Sequence, residues 1–288
     1  MGRSILPILL IFIGILFLLT SCELPTYRSG DPPEYRPLPT EPFYGVVGQA
    51  ISDKYDGMLT ELYDVMDFEP DLGSESNKKS KSGIDKEREY WHGEVVDYQE
   101  SYKEEKGQWE VSYNRDVERD DFIKQSHANL TYQFRTFRDQ NRKDPFVRDV
   151  YKVVLSGERE GKVQGREIYR ETNMRITGLN DPPYYRIRGE HVSRGTRITT
   201  GRSDAEREEN YTITFKAVDP VIESDINKDL LFQIHGVWDI ILTVDTGRSG
   251  QVNEYEGRVE LDGNGFAYLR FHKDRRTIRF NALTGERK

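Results

Sequence analysis

The chain has 288 residues, a formal net charge of −8 and one cysteine. An acidic chain of this kind lacks the basic surface that nucleic-acid-binding proteins use, so a nucleic-acid partner is not expected. A single cysteine forms no disulfide within the chain and supplies no thiolate cluster for a metal ion. Seventeen tyrosines and thirteen phenylalanines supply the large side chains from which a core held by packing alone can be built.

The first residues have the pattern of a bacterial secretion signal. Arg3 provides a short positive start, and an almost entirely apolar run follows from Ile5 to Leu19. This run suits a signal-peptide core and is shorter than the ~20 residues of a membrane-spanning helix. It ends in a large aliphatic residue and two small residues before the cysteine, Leu19-Thr20-Ser21-Cys22.

The sequence LTSC at 19–22 resembles the lipobox of bacterial lipoproteins. In that family the cysteine sulfur receives a diacylglycerol, the chain is cleaved just before the cysteine, and the new amino terminus is commonly acylated. The resemblance implies that residues 1–21 are removed and that Cys22 is the site of lipid attachment. Two or three acyl chains then hold the protein on a bilayer. An uncleaved anchor and a plain secretory signal remain alternatives, whereas N-myristoylation is disfavoured because Leu6 stands where its motif has Ser or Thr.

The residue after the cysteine bears on location. In the best-studied lipoproteins, Asp at this position retains the protein in the inner membrane, but here Glu23 follows. We therefore predict a cell-envelope lipoprotein of the outer membrane that faces the periplasm. The inner membrane and the opposite face remain open.

Three segments precede the main domain. Residues 22–45 are rich in proline, which favours an extended, semi-rigid stalk. Residues 46–68 carry apolar side chains at helical spacing and are predicted to form one helix. Residues 69–88 are rich in Ser, Lys and Gly without periodicity, which predicts a flexible loop.

From residue 89 to the end, apolar and polar residues alternate, which is typical of antiparallel strands with one buried face. We predict an all-β domain, a curved antiparallel meander that forms a barrel, a half-barrel or a sandwich. The glycines Gly93, Gly157, Gly189 and Gly236 are predicted to mark bends or bulges in the sheet. The residues predicted to point inward include Tyr132, Phe134, Thr136, Tyr151, Val153, Leu155, Tyr185, Ile187, Tyr211, Ile213, Phe215, Trp238, Ile240, Leu242, Val244, Ile278 and Phe280.

One stretch carries a catalytic motif. Residues 241–250, ILTVDTGRSG, resemble the aspartic-peptidase signature, in which a hydrophobic pair precedes Asp-Thr-Gly. The resemblance implies that Asp245 would be one of two carboxylates that share a proton around a water molecule. The chain contains no second such motif, so a dimer partner would have to supply the other carboxylate. Asp and Gly also suit the hairpin turn that we predict between residues 237–244 and 251–261, and the peptidase remains an alternative to that turn.

The remaining ionisable residues show no catalytic or metal-ligating spacing. The five histidines are His92, His127, His191, His235 and His272. None forms a metal-binding pair in sequence, although a three-dimensional cluster of His92, His191 and His235 is an alternative. Neither a metal nor a cofactor is predicted. Residues 135–152 form a basic strip that we interpret as a solvated loop paired with its own aspartates.

Two functions of different classes are compatible with these features. The first is a non-catalytic interaction or assembly role, in which the sheet presents a face or an edge to another envelope protein. The second is a carrier in which the curved sheet forms a cup for an apolar ligand and the helix forms its lid. We do not predict an enzyme.

Overall fold

A helical segment and a broad antiparallel sheet make up the part of the chain that the computed structural model describes, residues 41–68, 70, 72, 91–180, 184–200, 206–223, 234–246 and 252–288. All of them belong to one unit, Leu38–Lys288. The predicted signal peptide, Cys22 and most of the predicted stalk and loop lie outside the described residues. Among the described residues, the helices are too short and too polar to cross a bilayer.

The helical segment is divided where one helix was predicted. Helix α1 spans Glu41–Ile51, a 3-10 turn spans Asp53–Tyr55, and helix α2 spans Met58–Met66. The break occurs at Asp56, which has a left-handed backbone with φ of 50°, and at Gly57, where a Cβ atom would lie 2.5 Å from the carbonyl oxygen of Ala50. Helix α1 also includes residues 41–45, which were predicted to end the stalk.

Within the described residues, thirteen strands form one sheet, which confirms the predicted all-β antiparallel class. The strands are β1 (Glu94–Lys103), β2 (Gln108–Arg119), β3 (Phe122–Thr136), β4 (Asn141–Arg142), β5 (Val150–Val163), β6 (Arg166–Thr177), β7 (Tyr184–Thr200), β8 (Glu206–Ala217), β9 (Val221–Glu223), β10 (Ile234–Asp245), β11 (Val252–Asp262), β12 (Phe266–Phe271) and β13 (Ile278–Asn281). The spatial order is β1-β2-β3-β5-β6-β7-β8-β10-β11-β12-β13, with β4 beside β3 and β9 beside β7 and β10.

The sheet curls around the helical segment. At one side of the sheet, Arg115 on β2 contacts Asp64 on α2. At the other side, Tyr44 on α1 donates a hydrogen bond to Asp274, just after β12. Within the described residues, β1 and β13 each pair with a single neighbouring strand. The concave face of this single sheet is therefore filled by the chain's own helices.

The predicted inward faces form the core with two exceptions. Tyr132, Phe134, Leu155, Phe215 and Trp238 are all buried, together with most of the other residues predicted to point inward. The exceptions are Tyr185, which is partly buried against the core, and Tyr151. A register shift between Arg135 and Thr136 pairs Thr136 with Val150, so Val150 is buried and Tyr151 is only partly covered.

The predicted glycine bends are present as unusual backbone conformations rather than bulges. Gly157 and Gly189 have φ of 154° and 115°, a region that side chains with a Cβ atom rarely adopt. The strand pairing nevertheless continues in register through both glycines. The two register shifts lie elsewhere, between Val96 and Gln99 and between Arg135 and Thr136.

Candidate functional site

The helical segment meets the sheet through a group of charged side chains that we call the buried charge cluster. It consists of Asp56, Glu61 and Asp64 from the helical segment and Arg115, Lys124, Arg159 and Arg170 from strands β2, β3, β5 and β6. The side chains of Lys124, Arg159 and Asp56 have no solvent exposure. Charges buried to this degree are rare unless they are paired.

Strand alternation places the basic residues on the concave face. Arg115 follows Tyr113 by two residues and Lys124 follows Phe122 by two, so each shares the buried face of its strand. Arg159 and Arg170 face each other in register on β5 and β6.

On the opposite side, Glu61 and Asp64 lie three residues apart in α2 and therefore share one side of that helix. Both point toward the arginines of the sheet, since Arg159 bonds to each of them. The helix and the sheet thus present opposite charges to each other.

Asp56 is held by two strands. Its Oδ1 accepts a hydrogen bond from Lys124 Nζ at 2.9 Å, its Oδ2 accepts one from Ser126 Oγ, and Arg115 Nη1 lies 3.9 Å from Oδ1. Burial alone would raise the pKa of Asp56. The cations of Lys124, Arg159 and Arg115, together with the Ser126 hydroxyl, hold that pKa well below its usual range instead. Asp56 is therefore a carboxylate at neutral pH.

Asp64 and Glu61 share Arg159. Asp64 accepts hydrogen bonds from Arg115 Nη2 at 2.5 Å, from Arg159 Nη2 at 2.7 Å and from the Tyr113 hydroxyl. Arg159 Nε also donates to Glu61 Oε1 at 3.0 Å. Burial raises the pKa of Glu61, and the neighbouring Asp64 carboxylate adds to that effect. The pKa of Asp64 is lowered because its two arginines outweigh its burial.

Arg170 binds backbone rather than carboxylates. Its Nε donates to the carbonyl oxygen of Asp56 at 3.1 Å, its Nη1 to that of Arg194 at 3.1 Å, and its Nη2 to that of Tyr55 at 3.4 Å. Burial lowers the pKa of Arg170. These bonds fix the left-handed turn at Asp56 against strands β6 and β7.

Two polar residues of β7 lie in the same interior. His191 Nδ1 forms a hydrogen bond with Thr172 Oγ1 at 2.8 Å. Among the described residues, His191 Nε2 and Ser193 Oγ have no hydrogen-bond partner. Burial first, and then the positive charges of Arg170 and Arg159, lower the pKa of His191 well below its ordinary value. His191 is therefore neutral at neutral pH.

The arrangement as a whole joins the helical segment to four strands at one place. Burying these charges costs free energy, and the cost is offset only when every charge finds its partner. The cluster therefore favours one position of the helices over the sheet. Sequence reasoning did not single out these residues, although the alternation of the basic ones with buried apolar residues along their strands is a signal that could have identified them.

Asp245 and the motif around it do not belong to the buried charge cluster. Asp245 is exposed at the end of β10 and is in register with Val252 of β11 and Asn210 of β8. It thus lies beside the predicted hairpin connection, and residues 247–250 of the motif lie outside the described residues. Cys22 also lies outside them.

The histidines lie in different surroundings. His92 is 3.4 Å from Asp53, His127 bonds to Asn114 on the outer face, and His191 is in the interior. His235 is in register with Asp262 of β11, and His272 is 3.4 Å from Glu256. Among the residues that the structure describes, there is no group of three or more His, Cys, Asp or Glu side chains that could hold a metal ion.

A groove of about 830 Å³, which we call the outer groove, crosses the outer face of six strands from β2 to β8. Its charged lining residues are Asp116, Glu160, Lys162, Glu167 and Arg194, and its other polar lining includes asparagine, glutamine, threonine and tyrosine side chains. The groove therefore offers both signs of charge and many hydrogen-bonding groups.

No family model, curated protein or solved structure matches this chain. A function for this protein must therefore be inferred from its own geometry.

Proposed function

We propose that the protein is a non-catalytic binding module of the cell envelope, anchored to a membrane by lipid on Cys22. The observation that carries the proposal is the filled concave face. Because the helical segment occupies that face and is bonded to it through the buried charge cluster, the surfaces left for a partner are the outer face, the edges and the loops.

The outer groove is the part of that surface best suited to a polypeptide. It runs across six strands, so an extended segment of a partner can lie along it. Glu160 and Lys162 carry opposite charges two residues apart on β5. Glu167 on β6 and Arg194 on β7 also carry opposite charges. Mixed charges of this kind give specificity toward a partner with the complementary pattern. The partner that we propose is therefore another envelope protein.

Site-specific photo-crosslinking in the living cell tests this proposal. A photoreactive residue replaces Gln125 or Thr196, which line the groove, and in the control it replaces Arg270 on β12, which does not line it. We expect a discrete protein adduct from the groove positions alone. Equal adducts from all three positions, or none from the groove, would contradict the proposal.

A charge exchange sharpens the experiment. The double variant Glu160→Lys with Lys162→Glu keeps the net charge but reverses the pattern in the groove. We expect it to lose the adduct. The matched control exchanges the exposed pair of Asp239 and Arg258, whose Oδ1 and Nε atoms lie 3.0 Å apart outside the groove, and should keep the adduct.

The second candidate function is the carrier. It requires the helical segment, which is joined to the concave face by the buried charge cluster and by apolar packing of Val47, Leu59 and Leu62, to open as a lid. An opened lid would expose the apolar part of the concave face, which includes Trp109, Tyr132 and Trp238. Native mass spectrometry of the mature protein purified from its own envelope separates the two functions. An extra mass that is lost on denaturation supports the carrier, and identical masses support the binding module.

A further inference from the structure

The connection between β3 and β5 carries the most exposed aromatic side chains among the described residues. Phe137 and Phe146 are 69% and 68% exposed, and Val147 is 38% exposed. Exposed phenylalanines at this degree are unusual in a protein surface that meets only water. We call residues 137–149 the aromatic loop.

The aromatic loop is held in place by the strands beside it. Trp109 Nε1 on β2 donates to the carbonyl oxygen of Lys143 at 2.8 Å, and Asn141 Nδ2 donates to that of Lys106 at 3.2 Å. Phe137 stacks on Tyr151 with ring centroids 4.3 Å apart. The phenylalanines are thus presented on an ordered loop rather than on a free coil.

The charges of the aromatic loop separate into two sets. Arg142 pairs with Asp149 at 2.9 Å, and Asp139 pairs with Arg135 and Lys152, which flank the loop, at 3.3 and 3.1 Å. In the described part of the chain, by contrast, Arg138, Lys143 and Arg148 form no ion pair. Asp144 accepts a hydrogen bond from the Phe146 backbone nitrogen and, among the described residues, forms no ion pair either. The protein as a whole is acidic, but the phenylalanines of this loop lie next to three unpaired cations and one unpaired carboxylate.

We infer that the aromatic loop docks on the surface of an anionic lipid bilayer. Apolar side chains beside arginines and lysines are what such a surface binds, because the acyl boundary accepts the rings and the head groups attract the cations. An anionic lipid surface is favoured over a protein partner because residues 135–152 carry six cations and three aspartates, an excess of three positive charges next to exposed apolar rings.

A lipid anchor on Cys22 would strengthen a weak contact of this kind by holding the domain near the bilayer. If Cys22 carries lipid, as proposed above, residues 23–40 span at most about 60 Å when fully extended. The domain then stays within reach of the bilayer, and docking becomes an intramolecular step. The inference rests on the proposed anchor for this reach, and the experiment below reports on anchor and loop separately.

A fluorescent probe at the loop tests the inference. The protein is purified from its own membranes and reconstituted in vesicles of phosphatidylcholine with phosphatidylglycerol. An environment-sensitive thiol probe is attached at Val147→Cys or, as the control, at Arg270→Cys on the outer face of β12. We expect a blue-shifted emission and protection from an aqueous quencher at Val147 only. If Cys22 carried no lipid, its free thiol would react with the probe in the parent protein, which has no other cysteine. Labelling of the parent protein therefore tests the anchor independently of the loop.

Variants of the loop give the decisive comparison. The double variant Phe137→Ser with Phe146→Ser should return the Val147 probe to its emission in water, whereas Ile241→Ser with Val252→Ser, a second exposed apolar pair, should leave it unchanged. Each of Arg138→Glu and Arg148→Glu should lower the docked-to-undocked ratio about fivefold or more in anionic vesicles. The same emission from the Val147 and Arg270 probes, or a shift retained in the double serine variant, would overturn the inference.

Discussion

The carboxylate of Asp56 has no access to water, and its stability as an ion depends on the amine of Lys124 at 2.9 Å. We expect Lys124→Met to lower the free energy of unfolding by about 3–5 kcal/mol, since it leaves a buried charge without its closest partner. The control is Arg258→Met, which removes an exposed ion pair with Asp239 and should cost at most about 1 kcal/mol. Denaturant unfolding measures both variants. Equal losses would contradict the role of the buried pair.

His191 makes the stability of the protein depend on pH. Its pKa is depressed in the folded protein by burial and by Arg170 and Arg159, so the unfolded chain binds a proton before the folded chain does. Stability from this residue is present above its unfolded pKa of ~6.5 and is lost as pH falls below that value. Between pH 7 and pH 5 the loss should be at most about 2 kcal/mol, which is the value for a histidine that stays neutral in the fold over the whole interval.

The matched variant for this prediction is His191→Gln, which keeps a hydrogen-bonding group near Thr172 and does not titrate. We expect the stability of the parent protein relative to this variant to fall as pH is lowered from 7 to 5, by at most about 2 kcal/mol. Glu61 and the other carboxylates are common to both proteins, so their titration cancels in the comparison. A difference that does not vary with pH would show that His191 has the same pKa in the folded and the unfolded protein.

At the scale of elements, helix α1 depends on close contact with the C-terminal turn. A Cβ atom at Gly48 would lie 2.7 Å from the carbonyl oxygen of Gly285. We expect Gly48→Ala to destabilise the protein by about 1–3 kcal/mol because the helix must shift. Gly45 in the same helix has no atom within 4 Å of such a Cβ, so Gly45→Ala should stabilise by about 0.5–1 kcal/mol. Thermal unfolding distinguishes the two variants. A similar shift in melting temperature for both would contradict the close contact between Gly48 and Gly285.

The strands were predictable from the sequence because alternation is a local signal. Trp238 to Val244 and Tyr211 to Phe215 show it without interruption, and the structure confirms both faces. The bulge that buries Val150 in place of Tyr151 was not predictable, since it depends on pairing with β3. The break at Asp56 likewise depends on Arg170 and Lys124, which are distant in sequence.

The buried charge cluster was predictable only in part. Arg159 and Arg170 have the alternation of buried residues, so the sequence contains the signal for their inward position. Their acidic partners give no such signal, because the contact between α2 and the sheet joins residues such as Glu61 and Arg159 that are 98 positions apart. Composition alone assigns all of these residues to the surface.

At the scale of the whole molecule, the proposed lipid on Cys22 determines where the protein is found. We expect Cys22→Ala, placed behind a signal peptide that is cleaved without lipidation, to move the protein from salt-washed membranes to the soluble fraction. The midpoint of unfolding should not change, because the described helices and sheet are stabilised by contacts with each other. Retention on the membrane in this variant would argue against the lipid anchor.

The contacts of helix α1 with the end of the chain determine when folding can be completed. Tyr44 bonds to Asp274 at 2.9 Å, and the backbone nitrogen of Lys54 bonds to the carbonyl oxygen of Leu283 at 3.0 Å. The helical segment is therefore synthesised first but finds its final partners only after almost the whole chain has been made. Contacts of such long range form slowly and leave apolar surface exposed meanwhile. A chain cut short before the C-terminal turn would lack these contacts of helix α1, so this side of the core cannot close until residues 274–285 have been made.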